Sequence, residues 1–299
     1  MRVLITGSSG FLGHALVSYL SSDGHKVVGL TRSKSSARGR HITWDPEAGV
    51  LDKDDLEDFD AVVNLAGESI VGRWTREKKS RILESRVKAT RLLCETLSHL
   101  RSRPMVLVSA SAIGYYGDSG DQVVDEESPP GRLFLSEVAK AWEAATQPAV
   151  RNGIRVVILR IGFVLSRAGG GLAKMLLPFK LGVGGRVGSG RQYMSWIAID
   201  DVAGAISHAI LEDSLRGAVN AVAPNPVTNR TFTKTLGRVL WRPTLVPLPA
   251  FAARRAMGEM ANELLLASAR VNPTRLLASG YEFRFPELKG ALRHVLGKE

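Results

Sequence analysis

The sequence predicts an α/β fold with a doubly wound parallel sheet, and two observations predict it. Short apolar segments rich in β-branched residues alternate with longer amphipathic segments through the first two thirds of the 299 residues. This alternation is typical of βαβ units whose strands are buried on both faces. A glycine-rich turn follows the first apolar segment directly, as in sheets that bind a ligand at their carboxyl edge. We expect a smaller carboxyl-terminal substrate-binding portion to complete the fold.

The apolar runs predict eight strands, at residues 1–5, 26–30, 41–44, 61–65, 105–109, 155–160, 196–199 and 218–222. The amphipathic runs predict helices from about Phe11, within 75–100, around 133–151, over 172–181, over 202–211 and from Thr231 onward. A proline-rich segment, 242–249, interrupts the last helical stretch. We therefore expect a core over 1–165, followed by a substrate-side loop, the remaining core strands and helices over 166–299.

The turn after the first strand has the spacing of a dinucleotide-binding loop. Gly7, Gly10 and Gly13 form G-x-x-G-x-x-G between a strand and a helix. Gly7 allows the tight turn, Gly10 lets the backbone approach a pyrophosphate, and Gly13 lets the helix pack on the strand. Phe11 and Leu12 begin the helix, whose free N–H groups attract phosphates. The pattern predicts a Rossmann-type sheet.

The end of the second strand predicts NADP as the cofactor. NAD-selective folds place an acidic residue here to hold the ribose 2′-hydroxyl. This chain has Thr31, Arg32 and Ser33 instead. A guanidinium matches a 2′-phosphate, and the two hydroxyls add donors.

Composition excludes several function classes. The single cysteine, Cys94, rules out an intrachain disulfide and a cysteine-based zinc site, and it favours a reducing, cytoplasmic location. Six histidines without ligand spacing argue against a metal. We expect no targeting segment before the first strand, and no apolar run in the sequence is long enough to cross a bilayer.

The net charge of +11 is spread over the chain and accompanies no recognised nucleic-acid module. We expect a small-molecule partner, anionic or sugar-like, and no specific nucleic acid or membrane partner. Residues 168–190 contain eight glycines. They form either a lid, which presents Arg186, Arg191 and Gln192 to a ligand, or a glycine-dense turn region. Asp200 and Asp201 begin a predicted helix, so capping explains them better than catalysis.

These motifs resemble the short-chain dehydrogenase/reductase superfamily in its extended, sugar-nucleotide-epimerase-like form. Within it, the chain is most similar to a branch whose members are described as epimerase family proteins or NADP-dependent oxidoreductases. The matching segments run nearly end to end: 7–13, 42–45, 64–68, 142–143, 188–192, 195–197 and 272–275.

The resemblance implies further cofactor contacts and a possible homodimer. Leu65, Ala66 and Gly67 would run beside the adenosine and pyrophosphate. Arg86 either faces the phosphates or is a solvated helix charge. Val164 either lies near the nicotinamide or packs in the core.

The superfamily's catalytic set is only partly present. Its serine, tyrosine and lysine correspond to Ser111, Ser136 and Lys140, so the tyrosine is missing. Because a serine hydroxyl is a far weaker acid than a phenol, the usual proton relay cannot be carried over intact. Tyr115 and Tyr116 follow Ser111, and each either replaces the missing acid or only lines the pocket.

The sequence thus predicts an NADP(H)-binding oxidoreductase that acts on an unknown small molecule. Two alternatives remain: a nucleotide-sugar epimerase, and a catalytically silent NADPH-binding or sensor protein. The missing tyrosine favours the silent protein, whereas the retained lysine and the glycine-rich region favour an enzyme.

Overall fold

The computed structural model describes residues 1–32 and 41–298 of the chain. Ser33, predicted to assist Arg32, lies outside these residues. The strands are β1 Arg2–Thr6, β2 Lys26–Thr31, β3 His41–Thr43, β4 Ala61–Asn64, β5 Val106–Ala112, β6 Val123–Val124, β7 Arg155–Ile161, β8 Phe163–Leu165, β9 Tyr193–Met194, β10 Trp196–Ala198, β11 Gly217–Ala221, β12 Val227–Thr228 and β13 Arg270–Val271.

The helices lie between and after these strands. They are α1 Phe11–Ser22, α2 Arg76–Ser98, α3 Phe134–Ala144, α4 Gln147–Arg151, α5 Gly170–Lys180, α6 Ile199–Leu211, α7 Asn229–Leu240, α8 Ala250–Met257, α9 Glu259–Ala261, α10 Thr274–Ala278 and α11 Leu288–Leu296. Tighter or wider helical turns span Asp54–Leu56, Ile113–Tyr116 and Asn262–Leu266. No helix within the described ranges combines the length and apolar character needed to cross a membrane.

A seven-stranded sheet forms the centre, in the order β11-β7-β5-β4-β1-β2-β3. Every neighbouring pair is parallel. The chain winds outward from β1 in both directions, which confirms the predicted doubly wound, Rossmann-type sheet. Strand order reverses between β1 and β4, so the loops after these two strands diverge and open a crevice.

The two faces of the sheet bury different residues of the same strand, which explains the continuous apolar runs. Val3 and Ile5 join a core cluster that includes residues of α1 and α6, whereas Leu4 joins a second cluster with α2. All three side chains are fully buried. Helices cover both faces, as parallel sheets require.

A separate core cluster organises part of the carboxyl-terminal region. Trp196 and Phe232 are fully buried where β10 and α7 meet α5 and α11. The paired strands β8 and β10 lie at the base of this cluster. The predicted helix over 202–211 begins earlier, at Ile199.

Asp201 connects the start of α6 with the backbone around residues 284–285. The prediction that it caps the helix is wrong. The cap of α6 is Ala198, which makes no side-chain cap. The fully buried Asp201 carboxylate accepts instead from the backbone N–H groups of Arg284 and Phe285, at 2.7 and 3.0 Å. Burial raises the pKa of Asp201, and these bonds offset part of that effect.

Candidate cofactor and substrate site

The glycine turn has the geometry that a pyrophosphate needs. Gly7 has a φ of +68°, and the Gly10 N–H donates to its carbonyl at 2.9 Å. A Cβ on Gly13 would overlap the Gly7 carbonyl, so only glycine lets α1 pack here. No side chain caps α1, and its first turn contains no acidic residue. Its N-terminal N–H groups are thus available to an anion.

A buried polar network fixes the end of β4 beside this turn. The Thr6 hydroxyl donates to Asn64 at 2.7 Å and accepts from the backbone N–H groups of Leu65 and Ala66, at 3.1 and 3.0 Å. The Asn64 amide donates to Thr90 at 2.8 Å. The network therefore holds the segment Leu65–Gly67 against the glycine turn. The sequence analysis missed Thr6 and Asn64 as positioning residues, although Asn64 lies in a segment that carries the family resemblance.

A cleft of about 550 Å³ runs from the glycine turn to the end of β2. Thr31 and Arg32 lie in its lining with Gly7 and Gly10. Thr31 is buried and Arg32 is exposed. Leu65, Ala66, Gly67, Trp44 and Lys88 complete much of the wall. The cleft thus brings together most of the predicted adenosine- and phosphate-side residues.

Arg86 packs behind Gly67, one of the residues that line the cleft, and is not itself in the lining. Its guanidinium approaches Gly67 so closely that a Cβ there would lie 3.2 Å from the Arg86 Cζ. It donates to the Ile82 carbonyl at 3.0 Å and lies 5.1 Å from the ring centre of Trp142. Burial lowers the pKa of Arg86 to about 10, and Glu68 offsets part of that effect. Arg86 is therefore a partly buried cation beside the strand end, not a solvated helix charge.

Ser111 belongs to a buried ion-pair network. Its hydroxyl donates to Glu143 at 2.7 Å, and Arg160 donates to both carboxylate oxygens of Glu143 at 2.9 Å. Burial alone would lower the pKa of Arg160, but Glu143 more than offsets this and the pKa is raised. Because the Ser111 proton is engaged by Glu143, Ser111 is not free to donate to a substrate carbonyl in this arrangement.

The two tyrosines after Ser111 differ in burial and in the hydrogen bonds of their hydroxyl groups. The Tyr116 hydroxyl is buried, donates to Asn220 at 2.7 Å and accepts from Arg160 at 3.0 Å. Burial raises the pKa of Tyr116 to about 12. The Tyr115 ring is only half-buried and packs edge-on against Tyr116. Among the described residues no group hydrogen-bonds the Tyr115 hydroxyl, so of the two phenols Tyr115 is the accessible one.

Ser136 and Lys140, both on α3, lie in different environments. Ser136 is fully buried and donates to the Gly114 carbonyl at 2.9 Å. Lys140, one turn later, is exposed and pairs with Glu137 at 3.1 Å. Position 136 therefore offers a buried hydroxyl that is already bonded within the protein, and the retained Lys140 lies at the surface.

The glycine-rich segment closes over the start of α1. A Cβ on Gly169 would lie 2.9 Å from the Phe11 ring, and one on Gly170 would lie 3.4 Å from it. Val164 is half-buried and packs against the large core cluster, as does Leu12. Phe11 thus packs against residues 169–170 and is not among the residues that line the cleft.

Two of the three side chains that the lid interpretation would present to a ligand are engaged by the protein. Gln192 is buried and donates to the carbonyls of Val187 and Leu265, at 3.0 and 2.8 Å. Arg186 donates to the Gly188 carbonyl. Arg191 alone of the three is exposed. These contacts favour the turn region over the lid.

In the part of the chain that the structure describes, no group of three or more histidine, cysteine or carboxylate side chains is arranged to hold a metal ion. Cys94 is buried, and burial raises the pKa of its thiol to about 12.

Sequence analysis did not identify the Glu143–Arg160 pair as part of the site. Glu143 lies in the segment 142–143 that resembles the family, and Arg160 is a charge at the end of an otherwise apolar strand. That charge in a buried strand was the available signal, because a buried cation needs a partner.

Comparisons with known proteins agree with this architecture. The chain is 43% identical over 294 residues to an epimerase family protein of Mycobacterium bovis, covering 98% of this chain and 97% of that protein. It is 39% identical over 300 residues to human epimerase family protein SDR39U1, covering 99% and 100% of the two chains.

Solved structures give the same picture. The crystal structure of human SDR39U1 with NADPH superimposes with a TM-score of 0.91 at 37% identity, covering 100% of both chains. A nucleoside-diphosphate sugar epimerase from Corynebacterium glutamicum superimposes with a TM-score of 0.83 at 37% identity, covering 100% of this chain and 59% of that one.

Two family models account for most of the sequence. Residues 248–295 match a domain of unknown function, DUF1731. Residues 3–221, which contain the glycine turn, the cleft and the Glu143–Arg160 pair, match the NAD dependent epimerase/dehydratase family. The chain therefore belongs to the NAD dependent epimerase/dehydratase family, within the extended short-chain dehydrogenases, alongside the epimerase family proteins.

Proposed function

We propose that this protein is an NADP(H)-dependent oxidoreductase that acts on a small molecule. The observation that carries the proposal is the cleft whose lining contains Arg32, which directly follows β2 in the sequence, where NAD-selective folds place an acidic residue. A full-length relative at 37% identity, human SDR39U1, was crystallised with NADPH. Because a 2′-phosphate gains a charge-assisted bond from a guanidinium, this chemistry favours NADP(H) over NAD(H).

The residues present fit this cofactor. Gly7, Gly10 and the uncapped start of α1 suit the pyrophosphate, and Leu65–Gly67 suits the adenosine side. Arg86 makes no salt bridge within the described residues, and its pKa is lowered by burial. A phosphate beside Gly67 would supply the missing counter-charge. When bound, the cofactor supplies a hydride donor or acceptor.

Tyr115 is the proton donor that this site offers. Its hydroxyl has no protein partner among the described residues, while those of Ser111 and Tyr116 are engaged. The Arg160 guanidinium lies 3.4 Å from the Tyr115 ring centre and holds the ring in place. A positioned phenol can give a proton to a carbonyl oxygen that becomes an alcohol. Ser111, Glu143 and Arg160 then act as positioning residues.

A silent NADPH-binding protein is the second candidate. Ser136 replaces the catalytic tyrosine, and Lys140 pairs with Glu137 at the surface. Both observations remove the usual proton relay without affecting the cofactor cleft. A nucleotide-sugar epimerase is the third, because a relative at 37% identity bears that description.

One sequence of experiments separates the three. NADPH and NADH are titrated by fluorescence, and the protein is then assayed for cofactor oxidation against a panel of aldehydes and ketones. Turnover of any carbonyl supports the oxidoreductase. Interconversion of nucleotide sugars without net cofactor oxidation supports the epimerase. Tight NADPH binding with neither reaction supports the silent protein, and failure to bind either cofactor contradicts all three.

The buried Cys94 fits a reducing, cytoplasmic environment, which we propose as the location. Whether two copies form the homodimer that the superfamily resemblance suggests is tested by sedimentation velocity.

A further inference from the structure

The charge of this protein is strongly segregated along the chain. Residues 144–199 contain eight Lys and Arg and no Asp or Glu, and residues 214–258 contain seven Lys and Arg and no Asp or Glu. The cofactor cleft, in contrast, has Glu47, Glu68 and Glu84 in its lining. A local excess of positive charge that no acidic neighbour in sequence balances attracts anionic partners.

The two acid-free segments meet in space at one end of the carboxyl-terminal region. Arg242 donates to the Lys180 carbonyl at 2.8 Å, where α5 ends. The Leu248 N–H donates to the Arg186 carbonyl at 2.8 Å, and the Gly188 N–H donates to the Leu248 carbonyl at 2.9 Å. The segment 180–188 therefore runs beside the segment 242–248.

A basic groove adjoins this junction. It has a volume of about 1070 Å³ and lies between α7, α11 and the turn after α7. Within residues 1–32 and 41–298, no acidic side chain contributes to its lining. The cations that line it are Lys234, Arg238, Arg242, Lys289, Arg293 and Lys298.

The same junction exposes large apolar side chains. Trp241 and Leu245 are each 84% exposed, and Phe251 is 73% exposed. We call the following set the apolar rim: Leu177, Leu181, Val183, Trp241, Leu245 and Phe251. Scattered exposed apolar residues are ordinary, but a group on adjoining segments marks an interaction surface.

Trp241 holds its ring outward where α7 ends. Its φ of 55° lies in the left-handed region, a common conformation at a helix C-terminus. The N–H groups of Trp241 and Arg242 donate to the carbonyls of Arg238 and Gly237, at 3.2 and 2.9 Å, and stabilise this helix end. The residue is 84% exposed, and its indole donates to no group within the described residues.

We propose that the apolar rim and the basic groove together form a docking surface for an anionic phospholipid membrane, which departs from the expectation of no membrane partner drawn from the sequence. In this mode the exposed aromatic and aliphatic side chains of the rim enter the region between headgroups and acyl chains, and the Lys and Arg of the groove bind anionic headgroups. The absence of a membrane-spanning helix among the described residues does not bear on this mode, which needs only shallow insertion.

The observations favour a membrane over two other occupants. A single-stranded nucleic acid would use the cations and the indole, but it would leave Leu177, Leu181 and Leu245 exposed to water. A second copy docked isologously on this face would place the basic groove against itself, because a two-fold interface pairs the same patch on both subunits. Of these three occupants, the anionic bilayer is the one that satisfies both the charge and the aliphatic side chains.

The test is co-sedimentation of the full-length protein with vesicles of pure phosphatidylcholine and of phosphatidylcholine mixed with phosphatidylserine. We expect binding to the mixed vesicles that weakens as salt rises, since screening acts on surface charge. Equal binding to both kinds of vesicle, or binding to neither, overturns the proposal.

Two variants with matched controls test the two components separately. The double variant Lys234→Glu with Arg238→Glu should lower partition into anionic vesicles on the order of 30-fold or more, given about 1 kcal/mol per basic residue. The control, Lys26→Glu with Lys53→Glu, makes the same change in net charge at exposed residues of the amino-terminal half. If both double variants lose binding equally, net charge explains the effect and the docking surface is wrong.

For the apolar component, Leu181→Ser should lower partition roughly tenfold. Leu211→Ser is the control, because Leu211 is 61% exposed at the end of α6 and Leu181 is 68% exposed at the end of α5. If the protein binds an oligonucleotide but no vesicles, and Leu181→Ser leaves that binding unchanged, the groove binds nucleic acid and the proposal is overturned. If the protein binds no vesicles but associates with itself, and Leu181→Ser abolishes that association, the surface binds a second copy and the membrane proposal is overturned.

Discussion

The guanidinium carbon of Arg160 lies 3.4 Å from the centre of the Tyr115 ring, while the same group donates to both oxygens of Glu143 at 2.9 Å. One buried cation on β7 thus connects a carboxylate on α3 with an accessible phenol after β5. The arrangement fixes Tyr115 by its ring face and leaves its hydroxyl without a protein partner among the described residues.

The first prediction concerns that phenol. If Tyr115 donates the proton, Tyr115→Phe should lower turnover by ~10²–10⁴-fold, the usual contribution of general acid catalysis. NADPH affinity should stay within a factor of two or so, because the substitution leaves the glycine turn and Arg32 in place. Steady-state kinetics with the carbonyl found in the substrate panel, alongside NADPH titration, provide the measurement.

Tyr116→Phe is the matched control. It removes a buried hydroxyl that bonds Asn220 and Arg160, so it should cost about 1–3 kcal/mol in free energy of unfolding. Turnover should change far less than for Tyr115→Phe. Full activity in Tyr115→Phe would end the case for this residue as the acid.

The second prediction concerns cofactor preference. NADPH should bind at least about tenfold tighter than NADH, which corresponds to 1.4 kcal/mol, because Arg32 pairs with a 2′-phosphate. Arg32→Ala should remove most of that difference by weakening NADPH alone. Fluorescence titration of both cofactors measures it. Equal affinities in the unchanged protein would contradict the NADP assignment.

The third prediction concerns the glycine turn. Gly10→Val should abolish NADPH binding, because the new side chain would occupy the pyrophosphate approach. The protein should stay folded, because Gly10 has φ −80° and ψ 172°, which valine tolerates, and the added Cβ, 3.1 Å from the Gly7 carbonyl oxygen, needs only a small local shift. Gly290→Val is the control, since an added Cβ there meets nothing within 4 Å. Titration and thermal melting are measured together. NADPH binding by a folded Gly10→Val protein would show that the phosphates lie elsewhere.

The fourth prediction concerns the buried pair. Glu143→Gln leaves the Arg160 guanidinium, 4% exposed, without its counter-charge. The free energy of unfolding should fall by about 3–5 kcal/mol. Urea denaturation measures it, with Glu84→Gln as the control, because the Glu84–Lys88 pair is exposed. A loss for Glu143→Gln no larger than for Glu84→Gln would mean that Arg160 finds water or another partner.

Local sequence patterns predicted the sheet and the cofactor turn well, because both depend on residues close in the chain. The spacing of Gly7, Gly10 and Gly13 specifies a turn within seven residues. The predicted helix around 133–151 is instead two helices, α3 and α4, which meet at residues 145–146. Without packing contacts, apolar periodicity does not reveal so short a break.

The candidate catalytic region was harder to predict, because its contacts are not local. Glu143 and Arg160 are 17 residues apart and come from a helix and a strand. The sequence also could not show that the Tyr116 hydroxyl turns inward to Asn220, 104 residues away, while Tyr115 stays accessible. Only the packing of β5 between β4 and β7 decides which tyrosine faces the interior.

The last prediction concerns Glu263, which fastens the carboxyl-terminal region to α3. Its carboxylate accepts from the backbone N–H groups of Phe134 and Leu135, at 3.0 and 2.8 Å, and so caps a helix that has no local side-chain cap. Burial raises the pKa of Glu263, and the two backbone bonds offset part of this effect. The folded protein therefore keeps this proton at a pH where the unfolded chain has released it.

Glu263 therefore lowers the free energy of unfolding as pH rises from the pKa of Glu263 in the unfolded chain to its higher pKa in the folded protein. Above the folded pKa this decrease in stability is complete. The free energy of unfolding of the native protein minus that of Glu263→Gln should therefore decrease with rising pH across this interval. Glu84→Gln should show the opposite slope, because the hydrogen bond from Lys88 lowers the pKa of Glu84. The Glu263 slope lies above the ordinary glutamate pKa of 4.5 and the Glu84 slope below it, so urea denaturation of all three proteins on both sides of that pH measures both slopes. A flat or rising difference for Glu263 would mean that its two backbone bonds outweigh the burial of its charge.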